Sequence, residues 1–529
     1  MNLSARLDAF RHPSTQKKLA GICRGIEREA LRITPAGQLA LTSHPESLGS
    51  TLTHPLITTD YAESLMEFIT PVARSVRDTL NQLRDLHRYT YRHIGDELLW
   101  PLSMPCYVNE PEDIHIADFG SSHVGTMKSV YRRGLTHRYG AVMQTIAGVH
   151  YNFSVPEEAW AVLAEKEGMR DCVEYRSQRY FDLIRNFKKI AWVIPYFFGA
   201  SPVVCSSFVR HSPGDLDLQE FGGGMLFKPF ATALRMSDLG YTNKEQAELG
   251  ITYNSLQGYI DGLRRAVSTP SERFAKIGVR DGDEFRQLNS NILQIENEFY
   301  SPIRPKRTAE SGETPTQALE RGGVEYIEVR ALDVNPFTPV GITAEQMYFL
   351  DLLLLHCLFS DSPTLDWEQQ QEAEKNLNLV VLRGREPRLR LHQGEREVTL
   401  KEKLKDLFKE LDQVAEVLDN AYHADAYSCV LDSLRGIIEN PEKSISGQLI
   451  RAMREAQQHG RGFAMRLASS YREQLISEDL DFYTEQELDE VASRSLVEQR
   501  DIENQQQGSF ADYLAAYFVA AEEKKKRAC

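Results

Sequence analysis

At 529 residues with a formal charge of −15, the chain is long enough to bury a sizeable core and too acidic for a general nucleic-acid binder. Its seven cysteines are scattered, odd in number and without a C-x-x-C pair, which excludes a disulfide framework and a zinc ribbon. No apolar run reaches the roughly 18 residues of a membrane span, and the first residues lack the apolar centre of a signal peptide, so a cytoplasmic protein is expected.

The pattern predicts a short helix over residues 5–10, a turn at His12-Pro13, and then a strand, Gly21-Ile22-Cys23-Arg24-Gly25-Ile26-Glu27-Arg28-Glu29-Ala30-Leu31-Arg32-Ile33. Side chains alternate along a strand, so Glu27 and Glu29 share one face, where they repel unless a cation lies between them. Thr34-Pro35-Ala36-Gly37 reads as the turn of a hairpin. A second acidic stretch follows: Asp60 at a turn, then Glu63 and Glu67 on one face, with a strand from about Leu65. Val76, Leu80, Leu83, His87 and Ile94 mark an amphipathic helix with His87 on its flank, and Trp100 to Tyr107, with two prolines, reads as a strand end or loop. Tyr131, Arg132, Leu135 and Tyr139 lie at helical spacing. Met143 to Ser154 alternates like a strand, with Gln144, Ile146, Gly148, His150 and Asn152 on one face, the lining expected of a cavity.

Residues 156–198 read as mostly helical. Gly222-Gly223-Gly224 has neither P-loop nor dinucleotide-fold spacing. Arg235 to Tyr241 leads to a helix around 256–267, and Asn291 to Tyr300 alternates. Ser301 to Arg307 reads as an extended basic loop, and Gly322 to Asp333 as a further charged strand on which Glu328 and Arg330 share a face. Beyond Pro339 the composition shifts to long charged helices, with Leu404, Leu407, Phe408, Leu411, Val414 and Leu418 as one stripe. Residues 1–340 are expected to form the catalytic core and 341–529 a helical region packed on it, together one structural domain. The Lys524-Lys525-Lys526-Arg527 tail reads as a solvated terminus.

Three acidic segments (Glu27 with Glu29; Asp60, Glu63 and Glu67; Glu328) and His150 supply more ligands than one zinc takes, and they suit two or three Mg²⁺ or Mn²⁺ ions. Hard cations beside Arg132, Arg235 and Arg330 are what phosphoryl transfer from ATP needs, because its chemistry is mostly positioning and charge neutralisation.

The same segments resemble the glutamate–cysteine ligase (γ-glutamylcysteine synthetase) family of proteobacterial type over nearly the whole chain. The resemblance is carried by Gly25-Ile26-Glu27-Arg28-Glu29, Ile57-Thr58-Thr59-Asp60, Glu67-Phe68-Ile69-Thr70-Pro71, Trp100 to Cys106, Gly148-Val149-His150-Tyr151-Asn152-Phe153, Ser237 to Tyr241 and Ile327-Glu328-Val329-Arg330. It implies an α+β fold with a curved antiparallel β-sheet funnel like the glutamine synthetase catalytic domain, wrapped by helices. ATP would phosphorylate the γ-carboxylate of L-glutamate, and the amine of L-cysteine would then displace phosphate. By this likeness Glu27, Glu29, Asp60, Glu67, His150 and Glu328 hold metal and Arg330 steadies the transferred phosphoryl. Tyr131, Leu135, Gln144, Tyr241 and Tyr300 form the cysteine pocket, and Arg132 and Arg235 contact glutamate or phosphate. Where that pocket often has Phe, this chain has Tyr61, whose hydroxyl needs a partner if buried. The family likeness also implies a monomer inhibited by glutathione. Two rival readings remain: a metal-dependent hydrolase, which would turn over without an added amine, and a non-catalytic ATP- or metal-binding regulator, which would give no product.

Overall fold

The computed structural model describes residues 1–105, 107–108, 110–211, 216–240, 249–310, 312–456 and 460–527, the side chains of 460–461 and 520–527 excepted. Its centre is a seven-stranded antiparallel sheet. The strands are β1 (Cys23–Ile33), β2 (Ile57–Thr59), β3 (Leu65–Ile69), β4 (Leu98–Leu99), β5 (Gly148–Ser154), β6 (Ile303–Lys306) and β7 (Tyr326–Asp333), in the order β6-β7-β5-β1-β3-β2. β4 pairs with the far end of β1, at Arg32 and Ile33. The architecture is mixed helix and antiparallel sheet.

β1 is central because both of its faces are committed. Its front carries Glu27 and Glu29. Its back carries Arg24, Arg28 and Arg32, all buried, each hydrogen-bonded to a partner supplied from elsewhere in the chain. Arg24 donates to Asp351, which also accepts from the hydroxyls of Tyr151 and Tyr427. Arg28 donates to the ring of His87, and Arg32 to Glu97. A buried guanidinium needs acceptors, and Asp351 of the helix Ala344–Phe359 and His87 of the helix Val76–His93 supply them, which fixes both helices on the back of the sheet.

The covering helices are α1 (Val76–His93), α2 (His123–Tyr139), α3 (Val173–Ile190), α4 (Ala344–Phe359), α5 (Leu400–Tyr422), α6 (Ala426–Glu439), α7 (Gly460–Ser477), α8 (Glu485–Gln505) and α9 (Phe510–Arg527). α1 lies on β1 and β3, and α4 packs between α3, α5, α6 and α1. Leu350 and Leu352 to Leu355 of α4 are fully buried. Starts are fixed locally: Ser75 caps α1, Ser122 caps α2, and Thr343–Gln346, Thr399–Glu402 and Thr484–Glu487 form reciprocal capping boxes on α4, α5 and α8. Among the described residues no helix is long and apolar enough to cross a membrane.

Several expectations need correction. The first helix spans Leu3–Leu7 and passes into a 3₁₀ turn at Asp8–Phe10. Glu63 sits in the turn before β3, where its carboxylate accepts from the backbone N–H of His44 and of Asp118, so it is spent on loop structure and does not join Glu67. His87 is a fully buried partner of Arg28 and not a flank residue. The strand over Met143–Ser154 begins only at Gly148; Val142–Thr145 is a 3₁₀ turn closed by the Thr145 hydroxyl on the Val142 carbonyl. Residues 291–300 are not a strand, because Asn289, Asn291, Gln294 and Glu298 bond nearby backbone instead of a neighbouring strand. The basic loop contains a true edge strand, β6, where Pro305 costs no ladder bond that an edge would need.

Candidate active site

Register converts the alternation of β1 into a cluster. Glu27 stands opposite His150 of β5, and Glu29 opposite Glu67 of β3. On the far side of β5, Asn152 faces Glu328 of β7. The β5–β7 pairing shifts between Val329 and Leu332, so Arg330 and Ala331 together oppose the single residue His150. The bulge therefore sets Arg330 beside the acidic group.

His150 Nδ1 lies 3.2 Å from Glu27 Oε2 and 4.0 Å from Glu328 Oε1, and its Nε2 is 3.7 Å from Glu29 Oε1. Asn152 donates to Glu27 Oε1 at 2.8 Å, and the Gly148 N–H donates to Glu29 Oε2 at 2.7 Å. Lys306 Nζ and Arg330 Nη1 each approach Glu328 at 3.3 Å, one on either oxygen. Asp60 holds the turn into β3 through its N–H to the Leu65 carbonyl, while its own carbonyl accepts from Arg132 Nε. The Arg132 guanidinium lies 4.3 Å from the Phe119 ring centroid.

The acids fall into two electrostatic compartments. Burial would raise Glu328, but Lys306, Arg330 and His150 outweigh it and hold the carboxyl well below the usual range. Burial likewise opposes ionisation of Glu27, and the hydrogen bond from His150 overrides it, keeping the carboxyl low against the charge of Glu328. In the other compartment burial pushes Glu29 up with Asp60 adding to it, and Glu67 is raised further by burial and the charges of Asp60, Glu27 and Glu29. Like charges crowded this way favour a cation among them.

Glu27, His150 and Glu328 each offer a ligand atom within 4.8 Å of the other two. Two carboxylates with one imidazole fit a hard divalent cation such as Mg²⁺ or Mn²⁺.

The remaining expected residues divide. Tyr131, Arg132 and Leu135 all lie on α2. Tyr61 is buried and donates to Thr136 Oγ1 at 2.5 Å, on the same helix, while Thr136 in turn donates to the Arg132 carbonyl. Arg235 is buried, bonded to Asp333 and to the carbonyls of Arg330 and Leu332, and packed against Gly148 so closely that a Cβ there would fall 3.1 Å from its guanidinium. Tyr300 lies within the electrostatic reach of Arg235 and Arg330 and lines a cavity of about 540 Å³ with Met236, Asp238 and Tyr253. Gln144 lies in the 3₁₀ turn before β5, off the strand face on which it was expected. Tyr241 is outside the described residues. Asn152 lies on the face expected to line a cavity, but Lys306 and Thr136 escaped the sequence reading. The signal for Lys306 was its two-residue spacing from Arg304 opposite a strand with Glu328, and Thr136 carried none.

The sequence model of the glutamate–cysteine ligase family matches residues 7–380. A glutamate–cysteine ligase of Yersinia enterocolitica is 50% identical over 508 residues, covering 96% of this chain and 97% of that one. One from Shewanella oneidensis is 50% identical over 505 residues, covering 95% and 96%.

This chain belongs to the glutamate–cysteine ligase family.

The crystal structure of a Francisella tularensis glutamate–cysteine ligase in complex with AMP superposes with a TM-score of 0.89 at 34% identity, covering 95% of this chain and 98% of that one. A bifunctional glutathione synthetase from Pasteurella multocida shares the fold, with a TM-score of 0.67 at 24% identity; it covers 87% of this chain and 54% of that one. Within a glutamate–cysteine ligase, the front face of β1 is the surface on which carboxylates, imidazole and cationic side chains converge.

Proposed function

We propose that the chain joins the γ-carboxylate of L-glutamate to the amine of L-cysteine at the expense of ATP, giving γ-glutamylcysteine, ADP and phosphate. A γ-carboxylate oxygen attacks the γ-phosphorus of ATP and ADP leaves; the amine then attacks the acyl carbon and phosphate leaves as the nitrogen loses its proton. The observation that carries this reading is the Glu27–His150–Glu328 triad with Lys306 and Arg330 on the same carboxylate, in a chain of this family.

Glu27, His150 and Glu328, with Glu29, Glu67 and Asp60 beside them, would hold two or three Mg²⁺ ions, for which Mn²⁺ would substitute. Such ions, when bound, neutralise the phosphate oxygens and orient them for in-line transfer. Arg330 presents a planar fork to the transferred phosphoryl, and its tie to Glu328 keeps that fork in place. Lys306 balances Glu328 from the other side. Tyr61, Tyr131, Leu135, Gln144 and Tyr300 form the amine pocket, and Arg132 and Arg235 orient glutamate. The sheet curves into a funnel like that of the glutamine synthetase catalytic domain, which shields the acyl phosphate from water. The enzyme works in the cytoplasm as a monomer and is inhibited by glutathione, a reading supported by the family resemblance.

ADP release is measured with glutamate and cysteine added singly and together. Release that needs both, matched by γ-glutamylcysteine, is expected. Release without an amine would point to a hydrolase, and nucleotide-dependent stabilisation without product to a regulator.

A further inference from the structure

The helix that carries the amine pocket has two sides, and its outer side is built from the end of the chain. α2 presents Arg132 and Thr136 inward, to Asp60 and Tyr61. Met127 and Val130, at the spacing that turns them outward, join Leu288 and Leu514 in a small apolar cluster separate from the main core. Phe510, Tyr513, Tyr517 and Phe518 of α9 pack against it, with the Phe510 ring edge-on to Phe285 at 5.0 Å. One residue belongs to both bodies. The Tyr131 ring packs against the main core on one side and against this α9 cluster on the other.

The start of α2 is held by the same part of the chain. Glu503 of α8 accepts from the Ser121 N–H at 2.8 Å, and Gln506 from the His123 N–H at 2.8 Å. The His123 ring donates to the Gln507 carbonyl and lies 5.5 Å from the Tyr513 ring. Gly120, at φ +79°, approaches Gln499 so closely that a Cβ would fall 2.1 Å from its amide nitrogen. Two unlike contact sets, polar at the N-terminus and apolar along the outer face, thus fix the axial position and the tilt of one helix.

We propose that α9 is a positioning element for the amine substrate, with Leu514 and Phe510 acting through Met127, Val130 and Tyr131 to set the wall of the cysteine pocket. This rests on the reading that Tyr131 and Leu135 line that pocket. The Glu27–His150–Glu328 triad stands on β1, β5 and β7, whereas the pocket residues and Arg132 ride on α2, so displacing α9 should loosen binding of the amine and of glutamate and spare ATP. The C-terminal helices then have a role in specificity beyond covering the core.

The experiment is steady-state kinetics on full-length Leu514→Ala, Leu514→Met and the exposed control Val519→Ala, with Leu135→Ala as the direct probe of the pocket. Leu514→Ala is expected to raise the KM for cysteine about tenfold, with kcat and the KM for ATP within about twofold. Leu514→Met, which keeps volume, should restore the KM, and Val519→Ala should leave every parameter unchanged. If Leu135→Ala raises the cysteine KM while Leu514→Ala leaves it unchanged, or lowers all parameters together, the proposal is wrong. Where Leu514→Ala does not fold, a cysteine KM unchanged in a folded Phe510→Ala variant overturns it equally. If Leu135→Ala itself leaves the cysteine KM untouched, the underlying assignment of the pocket falls.

Discussion

Tyr61 donates to Thr136 at 2.5 Å, which ties the turn that carries Asp60 to the helix that carries Tyr131, Arg132 and Leu135. The buried Tyr61 hydroxyl is thus satisfied inside the fold.

The two ends of that bond differ in what their loss leaves behind. Tyr61→Phe removes a donor while Thr136 keeps its bond to the Arg132 carbonyl, so stability should change by less than about 1 kcal/mol. Thr136→Val strands a buried hydroxyl and should cost about 1–3 kcal/mol in urea unfolding. Neither change creates a polar contact for the thiol, so 2-aminobutyrate should compete with cysteine in both variants and in the unaltered enzyme. Ratios of kcat/KM for the two amines check this.

Glu27→Gln and Glu328→Gln each remove a charged ligand from the triad without changing its volume. Ligation should fall below detection while the melting temperature stays within a few degrees, since neither carboxylate sits in the apolar core. Turnover persisting in either variant would show that the triad is not where the metal acts.

Arg330→Lys keeps the charge and loses the planar fork. The single-turnover rate of phosphoryl transfer should drop by about a hundredfold, and ATP affinity by no more than about threefold. Equal losses in both would assign Arg330 to ground-state binding.

An acid-sensitive clamp lies away from the site. Burial acts to raise Glu478, but hydrogen bonds from Arg84, Gln474 and Arg88 override it and hold its carboxyl at about 2, below the ordinary value of about 4.3. A depressed carboxyl contributes stability in full above its unfolded value and loses it as pH falls through the folded one. The attachment of α1 to the end of α7 should therefore weaken between about pH 5 and pH 2. Glu478→Gln should cost on the order of 1 kcal/mol at pH 7, reduced by the partial exposure of the group, and nothing well below pH 2. Urea midpoints of the two proteins across that range measure the difference.

Much was already legible in the residues themselves. Period-two alternation places Glu27 with Glu29 and Glu328 with Arg330 on shared faces, and the structure keeps those faces. The stripe from Leu404 to Leu418 and the capping residues mark α5 closely, because a helix is specified by contacts a few residues apart. The order and spacing of the charged motifs was enough to indicate the family.

Alternation names a face but not its partner. That Glu27 meets His150 and Glu29 meets Glu67 depends on strand register, set by side chains more than thirty residues away. The bulge that brings Arg330 to His150 is a one-residue mismatch between distant strands, with no local signature. Gln144 was expected on an alternating strand and Glu63 on a face shared with Glu67, but a 3₁₀ turn claimed the backbone around the first, and the backbone N–H groups of His44 and Asp118 claimed the carboxylate of the second. Only the tertiary structure decided which acids are held low and which are pushed up, because Lys306 and Arg330 reach Glu328 while Glu67 is crowded by Asp60, Glu27 and Glu29. The sequence by itself determined the chemistry that was available. Long-range pairing determined its placement, because electrostatic balance depends on distances that only the folded chain sets.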